Sequence, residues 1–359
     1  MINVSKPNLP PLEDYVELLK GIWDRNWLTN NGPLVNALEL KLKTYLDVNH
    51  MLYLNNGTIA LQIAIKALDL KGEIITTPFS YVATTSSIVW EGCSPVFVDI
   101  DPDTLTINHR QIEAAITANT SGILATHVFG NPCNIEEIEK IALKHKLKVI
   151  YDAAHCFGTK YKGKSVFEFG DVSTTSFHAT KLFHTIEGGA VFCNDVEVLK
   201  RMSYMRNFGH NGPEDFFGVG INGKNSEFHA AMGICNLQIV DEILKARKEI
   251  CLYYNDKIAH ELIEFPKTTQ HAELNYAYYP IILKNETLLK KVIAELNANN
   301  ILPRRYFYPS LDTLNYLDAG KMAVSNDVAA RILCLPLYHG LTHEEVDFVC
   351  RIIKRVLNN

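Results

Sequence analysis

The chain lacks most of the features that tie a protein to a membrane, a metal ion or a disulfide framework. No uninterrupted apolar run approaches the length of a membrane span. The opening residues, Met1-Ile2-Asn3-Val4-Ser5-Lys6-Pro7, hold no apolar targeting stretch. Eight cysteines are scattered without a single C-x-x-C pair, which in 359 residues points to reduced thiols rather than disulfides or structural zinc. H-E-x-x-H, an EF-hand loop and a G-x-S-x-G elbow are all missing. Positive charge is not in excess: 35 Lys and Arg stand against 40 Asp and Glu, a net charge of −5, which gives no overall attraction to nucleic acid or anionic lipid. Repeats and low-complexity tracts are absent too. The expectation is a cytoplasmic protein with no nucleic-acid, membrane or metal partner.

What is present is the composition of a globular protein, 47% hydrophobic and 21% charged. The length suggests about two domains. Short apolar strands alternate with helical patterns through the first two-thirds of the chain. Strands are expected at Met51–Leu54, Glu73–Thr76, Pro95–Asp99, Ile123–Val128, Val149–Tyr151, Val172–Phe177 and Ala190–Cys193. Helices are expected between them, at Ile59–Leu68, from Tyr81 through Val89, at Ile107–Ile116 and at Ile135–His145, after earlier helices at Leu12–Trp27 and from Pro33 to Leu46. Such alternation argues for an α/β architecture with a mainly parallel sheet covered on both faces. A helix starting near Ser226 runs past Lys245, and the boundary is expected there. Residues 1–245 form the large domain, and residues 246–359 a smaller α+β domain with strands at Tyr276–Leu283 and Ile332–Leu337. Asn285 and the Thr342-His343-Glu344-Glu345 capping box each start a helix there.

Two phosphate-loop patterns sit in the wrong context. Gly158 to Ser165 matches G-x-x-x-x-G-K-[ST], but Val166-Phe167-Glu168-Phe169-Gly170 follows instead of a helix. Tyr161-Lys162-Gly163-Lys164 reads as a hairpin tip. Gly218 to Gly223 matches G-x-G-x-x-G, but a loop with Pro213, Glu214 and Asp215 precedes it in place of a strand. His178 and His184 lack metal-ligand spacing.

Three other signals fall at strand ends, where ligands of parallel sheets bind. Asn55-Asn56-Gly57-Thr58 leads from a strand into a helix N-terminus, a natural phosphate site or an ordinary βα turn. Asp152 ends a strand and is a ligand carboxylate or a helix N-cap. Lys181 lies among apolar and small residues in Ser176-Phe177-His178-Ala179-Thr180-Lys181, before a Glu187-Gly188-Gly189 turn, and is a desolvated nucleophile or a surface lysine. Together they are what pyridoxal 5'-phosphate requires: backbone donors for its phosphate, a carboxylate for its ring nitrogen and an amine for its aldehyde.

At these residues the chain resembles the DegT/DnrJ/EryC1/StrS sugar-nucleotide aminotransferases. The resemblance rests on Asn56-Gly57-Thr58, Asp152-Ala153-Ala154-His155, the Ser176–Lys181 stretch, Glu187-Gly188-Gly189-Ala190, Gly220 to Glu227 and Ala230-Ala231. It implies a fold type I, aspartate-aminotransferase-like transferase with pyridoxal phosphate as cofactor. By position, Lys181 would form the Schiff base and shuttle protons, and Asp152 would pair with the ring nitrogen. His155 would lie near the phenolic oxygen, Tyr81 would stack on the ring, and Gly57, Thr58 and Ser176 would hold the phosphate. The resemblance also implies a homodimer with shared sites, in which Asn222 reaches the partner's cofactor. Implied substrates are a nucleotide-linked ketosugar and L-glutamate, with C4 amination of dTDP-4-keto-6-deoxyglucose the preferred reading, for surface polysaccharide or deoxyaminosugar synthesis. Amination at C3, a UDP-linked sugar, a regulator that binds the cofactor without turnover and an NTPase remain alternatives. Arg304 and Arg305 are candidates for the pyrophosphate, and Tyr306 and Tyr308 for the sugar or base. Trp27, Thr29, Asn30 and His178 are further candidates for the substrate pocket.

Overall fold

The seven strands of the main sheet are short and most of their residues are buried, as expected of a sheet covered on both faces. In the computed structural model, which describes residues 1–358, they form one sheet. Across it the strands run Met51–Leu54, Gly189–Phe192, Val172–Ser176, Lys148–Asp152, Thr120–Thr126, Glu73–Thr76 and Ser94–Phe97. Six share one direction, and Gly189–Phe192 alone is antiparallel to both its neighbours.

This register gathers residues that are distant in sequence. Thr126 pairs with Asp152, and Asp152 with Thr174, at the carboxyl ends of adjoining parallel strands. The reversed strand brings its first residue to the same edge, with Gly189 opposite both Ser176 and Leu54. The turn into the helix Gly57–Ala67 starts directly after Leu54.

Helices cover both faces. On one, Pro33–Leu46 turns Val35, Leu38, Leu42 and Leu46 inward, a spacing that follows the helical period. On the other, Gly57–Ala67 buries Ala60, Leu61, Ile63 and Ala64 in a separate apolar cluster. The expected helix at Ile107–Ile116 is shorter, because Ile107 bridges to Ile100 and the Asn108 side chain caps a helix that begins at His109. A 3₁₀ turn, Glu113–Ala115, follows it.

The C-terminal layer has its own core. Strands Ile263–Glu264, Tyr279–Leu283 and Ile332–Leu335 form a sheet backed by helices Glu286–Ala298 and His343–Leu357. The strand expected from Tyr276 starts only at Tyr279, since Tyr276 has a positive φ of 54° that no strand accepts. The first residues belong to this layer: Ile2–Asn3 pairs in parallel with Ile301–Leu302. The helix Glu227–Ile258 runs unbroken through residue 245, where the boundary was expected, and its residues enter both cores.

Both rejected motifs have other structures. Lys160–Tyr161 and Lys164–Ser165 form an antiparallel hairpin whose tip, Lys162-Gly163, has two positive φ angles, the signature of a type I′ turn. Gly220 packs so tightly that a β-carbon there would stand 2.2 Å from the Gly209 nitrogen, which explains the glycine without a phosphate. All eight cysteines are buried and unpaired. Among the described residues no helix is long and apolar enough to cross a membrane.

Candidate active site

A cavity of about 350 Å³ opens at the carboxyl edge of the sheet. Lys181, Asp152, His155, Gly57, Thr58, Ser176 and Tyr81 all line it.

The floor is built by the loop after strand Val172–Ser176. Phe177, Leu182 and Phe183 bury themselves on either side of Lys181, with Phe183 stacked on Phe157 at 4.3 Å between ring centres. The Phe177 N–H donates to the Gly188 carbonyl at 2.7 Å and the Thr185 N–H to the Phe177 carbonyl at 2.9 Å. A turn with the Lys181 N–H donating to the His178 carbonyl at 2.9 Å then sets the lysine's direction. Desolvation lowers the pKa of the amine, and the nearby Asp152 charge acts against that shift. Less of the lysine is therefore protonated near neutral pH than in water, which favours nucleophilic and basic chemistry.

Asp152 is buried, and burial raises its pKa. A Thr84 hydroxyl bond at 2.7 Å, the Ala154 N–H at 3.2 Å and the charge of Lys181 pull it back down. His155 follows in the same turn. Its Nδ1 accepts the Phe129 N–H at 3.2 Å, so the neutral ring carries its proton on Nε2. Burial, and then the Lys181 charge, hold its pKa well below the ordinary value, so it stays a neutral donor.

The other wall is a cradle for an anion. Asn56 accepts the Ile59 N–H at 2.8 Å and caps the helix, which leaves the N–H groups of Gly57 and Thr58 without intrahelical partners. Ser176 presses against this turn: a β-carbon on Gly57 would lie 2.9 Å from its Cβ. The Glu187-Gly188-Gly189 turn is fastened by Asn225, whose Nδ2 donates to the Glu187 carbonyl at 2.9 Å and to the Tyr53 hydroxyl at 3.0 Å. Tyr81, just ahead of helix Val82–Trp90, is 61% exposed and lines the cavity.

Not every expected residue meets here. Arg304, Tyr306 and His178 line the cavity, whereas Arg305, Tyr308, Trp27, Thr29, Asn30 and Asn222 do not. Arg305 is turned away: its guanidinium bonds Glu286 at 3.2 Å and the carbonyls of Ala329 and Ala330, and it lies 3.4 Å over the Tyr308 ring. Trp27 donates to the Thr29 carbonyl at 2.6 Å, while the Thr29 hydroxyl reaches Asn225. Asn30 borders a separate depression with Asn207, Phe208 and Lys224. Asn222 is exposed, and its carbonyl accepts from the Asn55 side chain at 3.0 Å. The cavity also contains Glu187 of the Glu187-Gly188-Gly189 motif, and Ser80, Thr126, Thr175, Tyr278 and Phe307, which the motifs did not single out. Strand-end position is the one signal that would have found Thr126 and Thr175.

A lysine, a strand-end carboxylate and an anion cradle in one cavity fit pyridoxal phosphate, and comparison with known proteins agrees. A family model described as the DegT/DnrJ/EryC1/StrS aminotransferase family matches residues 12–354. The chain belongs to this family. A dTDP-4-amino-4,6-dideoxy-D-glucose transaminase of Shigella dysenteriae is 42% identical over 99% of both chains. One of Escherichia coli is 39% identical over 98% of both. The solved structure of DesI with its TDP-sugar product superposes with a TM-score of 0.93 at 30% identity, covering 99% of this chain and 92% of that one. The chain thus has the fold of the pyridoxal-phosphate-dependent sugar aminotransferases, and pyridoxal phosphate is its cofactor. The donor set suits that group, with a carboxylate for its ring nitrogen, unpartnered N–H groups for its phosphate and an amine for its aldehyde.

Proposed function

We propose that the protein transfers the amino group of L-glutamate to C4 of dTDP-4-keto-6-deoxy-D-glucose, giving 2-oxoglutarate and dTDP-4-amino-4,6-dideoxy-D-glucose. The observation that carries this reading is the meeting of Lys181, Asp152 and the Gly57 turn in one cavity, in a chain 42% identical to a transaminase named for that sugar. Pyridoxal phosphate, when bound, supplies the electron sink and carries nitrogen between the two substrates.

The protein's own groups divide the remaining work. Lys181, its pKa lowered by desolvation, takes the proton from the α-carbon of glutamate and later delivers one to C4 of the sugar. Asp152 would face the ring nitrogen and stabilise its positive charge. His155 would offer Nε2–H to the phenolic oxygen, and Tyr81 would cover the ring. Gly57, Thr58 and Ser176 would bind the phosphate through N–H and hydroxyl groups. Arg304 at the cavity rim is suited to the sugar's pyrophosphate, since a guanidinium matches phosphate oxygens in pairs. In this reading two copies of the chain complete each other's sites, with Asn222 and the loop around it serving the neighbouring copy.

The test is amination of 4-keto and 3-keto sugars carried on dTDP and on UDP, with glutamate as donor and the product identified by NMR. The dTDP-linked 4-keto sugar should react in preference, and Lys181→Ala should cut turnover by at least about 10²-fold. Preferential reaction of a 3-keto or UDP-linked sugar would replace the substrate assignment.

A further inference from the structure

Asp152 stands at the end of a line of buried hydroxyls. The Thr84 hydroxyl donates to its Oδ2 at 2.7 Å, Ser80 Oγ lies 2.7 Å from Thr84 Oγ1, and Thr126 Oγ1 donates to Ser80 Oγ at 3.1 Å. Three separate segments supply them: the first turn of helix Val82–Trp90, the turn before it and the end of strand Thr120–Thr126. All three are buried, and Thr84, unlike Ser80 and Thr126, does not line the cavity.

A hydroxyl has one proton to give. With the Thr84 proton committed to the carboxylate, Thr84 can only accept from Ser80, and Ser80 in turn accepts from Thr126. Every link then points the same way, toward Asp152. Oδ1 accepts as well, from the Ala154 N–H at 3.2 Å. Both oxygens are thus used as acceptors, which is the pattern of a carboxylate rather than a carboxylic acid. We propose that Thr84 is a positioning residue for the cofactor: its hydroxyl, oriented by Ser80 and Thr126, holds Asp152 ionised and turned so that it can receive the ring N–H of pyridoxal phosphate. The proposal rests on the cofactor reading above but not on the choice of sugar.

Burial works against that charge, which is why a dedicated donor matters. The titratable groups around Asp152 are Lys181, His155, His127, Cys133 and Cys156. Burial keeps both histidines neutral and both thiols protonated, so Lys181 is the one cation among these neighbours.

The test compares Thr84→Val, which keeps the shape and removes the hydroxyl, with Thr84→Ser, which keeps the hydroxyl. Full-length protein is stripped of cofactor and titrated with pyridoxal phosphate between pH 6 and 9, and apoprotein melting is followed in parallel. Thr84→Val should weaken binding about tenfold or more at pH 7, the worth of a hydrogen bond to a charged group. Its affinity should fall away at a higher pH than wild type, because an unassisted Asp152 takes up its proton sooner. Thr84→Ser should bind within about threefold of wild type, with the wild-type pH profile. Ser80→Ala, which breaks the next link, should shift the pH profile in the same direction and serves if Thr84→Val does not fold. Equal losses in the Val and Ser variants, or wild-type affinity and pH profile in Thr84→Val, would overturn the proposal. A wild-type protein that binds no pyridoxal phosphate would instead remove the cofactor reading beneath it.

Discussion

Gly189 lies against Asn56 so closely that a β-carbon on it would stand 2.5 Å from both the carbonyl carbon and oxygen of Asn56, and 2.8 Å from the Gly57 nitrogen. The reversed strand of the sheet therefore sets the position of the anion cradle, and the contact is backbone to backbone, with no side chain free to yield.

Gly189→Ala should displace that turn. The expected cost is about 1–3 kcal/mol of apoprotein stability, typical of overpacking, together with weaker pyridoxal phosphate binding. Urea denaturation and cofactor titration measure the two. Unchanged affinity would show that the cradle does not depend on this contact.

Asp152→Asn should separate stability from activity. Burial lifts the folded-state pKa above the ordinary 3.8, so on raising the pH the unfolded chain releases this proton first. Stability therefore declines from about pH 4 up through the folded pKa and stays lower at neutral pH. Apoprotein of the D152N variant should melt above wild type at pH 7, with the gap closing near pH 4. Turnover should fall at least about a hundredfold. A lower melting point at pH 7 would mean that the carboxylate stabilises the empty fold.

His127 gives an acid limb. It is buried, its Nδ1 accepts the Cys133 N–H at 3.0 Å, and burial pushes its pKa down from 6.5 to about 3. Below pH 6.5 the unfolded chain takes up a proton that the folded one refuses, which costs about 1.4 kcal/mol per pH unit until the folded pKa is reached. His127→Asn retains an acceptor for Cys133 and should flatten that slope by up to one proton between pH 6 and 4. Denaturation at several pH values reads it directly, and an unaltered slope would place the titrating group elsewhere.

Adjacent arginines should behave oppositely. Arg305 satisfies the carbonyls of Ala329 and Ala330 near the end of helix Ala323–Arg331, so Arg305→Ala should cost about 1–3 kcal/mol of stability. Arg304 lies in the cavity, and Arg304→Ala should leave melting nearly unchanged while raising the KM for the nucleotide sugar about tenfold or more. Equal effects on KM would mean that Arg305 also reaches the sugar nucleotide.

Those two arginines also mark where sequence reasoning stops. The chemistry of Arg304 and Arg305 is identical, and only the tertiary placement of Glu286 and the Ala329–Ala330 carbonyls sends one into the protein and leaves the other at the rim. The alternation of strands and helices was legible because strands buried on both faces tend to read as apolar runs, as Met51–Leu54 does, although Val172–Ser176 is mostly buried and carries four hydroxyl residues. The placement of Lys181, Asp152 and Gly57 at one edge of the sheet was legible for a related reason: each ends or follows a strand. The reversal of Gly189–Phe192 was not, since an apolar strand reads the same in either direction. The hydroxyls of Thr84 and Ser80 were hidden too, because threonine and serine are ordinary near the start of a helix and gain meaning only beside Asp152.

The helix Glu227–Ile258 has a consequence of its own. Over 32 residues it extends about 48 Å, with its first turn receiving the N–H groups of Leu34 and Val35 on Glu227 and its last turns embedded beneath the C-terminal sheet. It acts as a keyed shaft through both halves of the molecule. One residue inserted at its middle would rotate everything beyond by about 100°, carrying Ile250, Cys251 and Tyr254 out of their sockets while the cavity end kept its grip. The length of that shaft should therefore tolerate insertion far less than the loop Gly209–Gly223 before it, and a cut at residue 245 would divide a helix that both cores share.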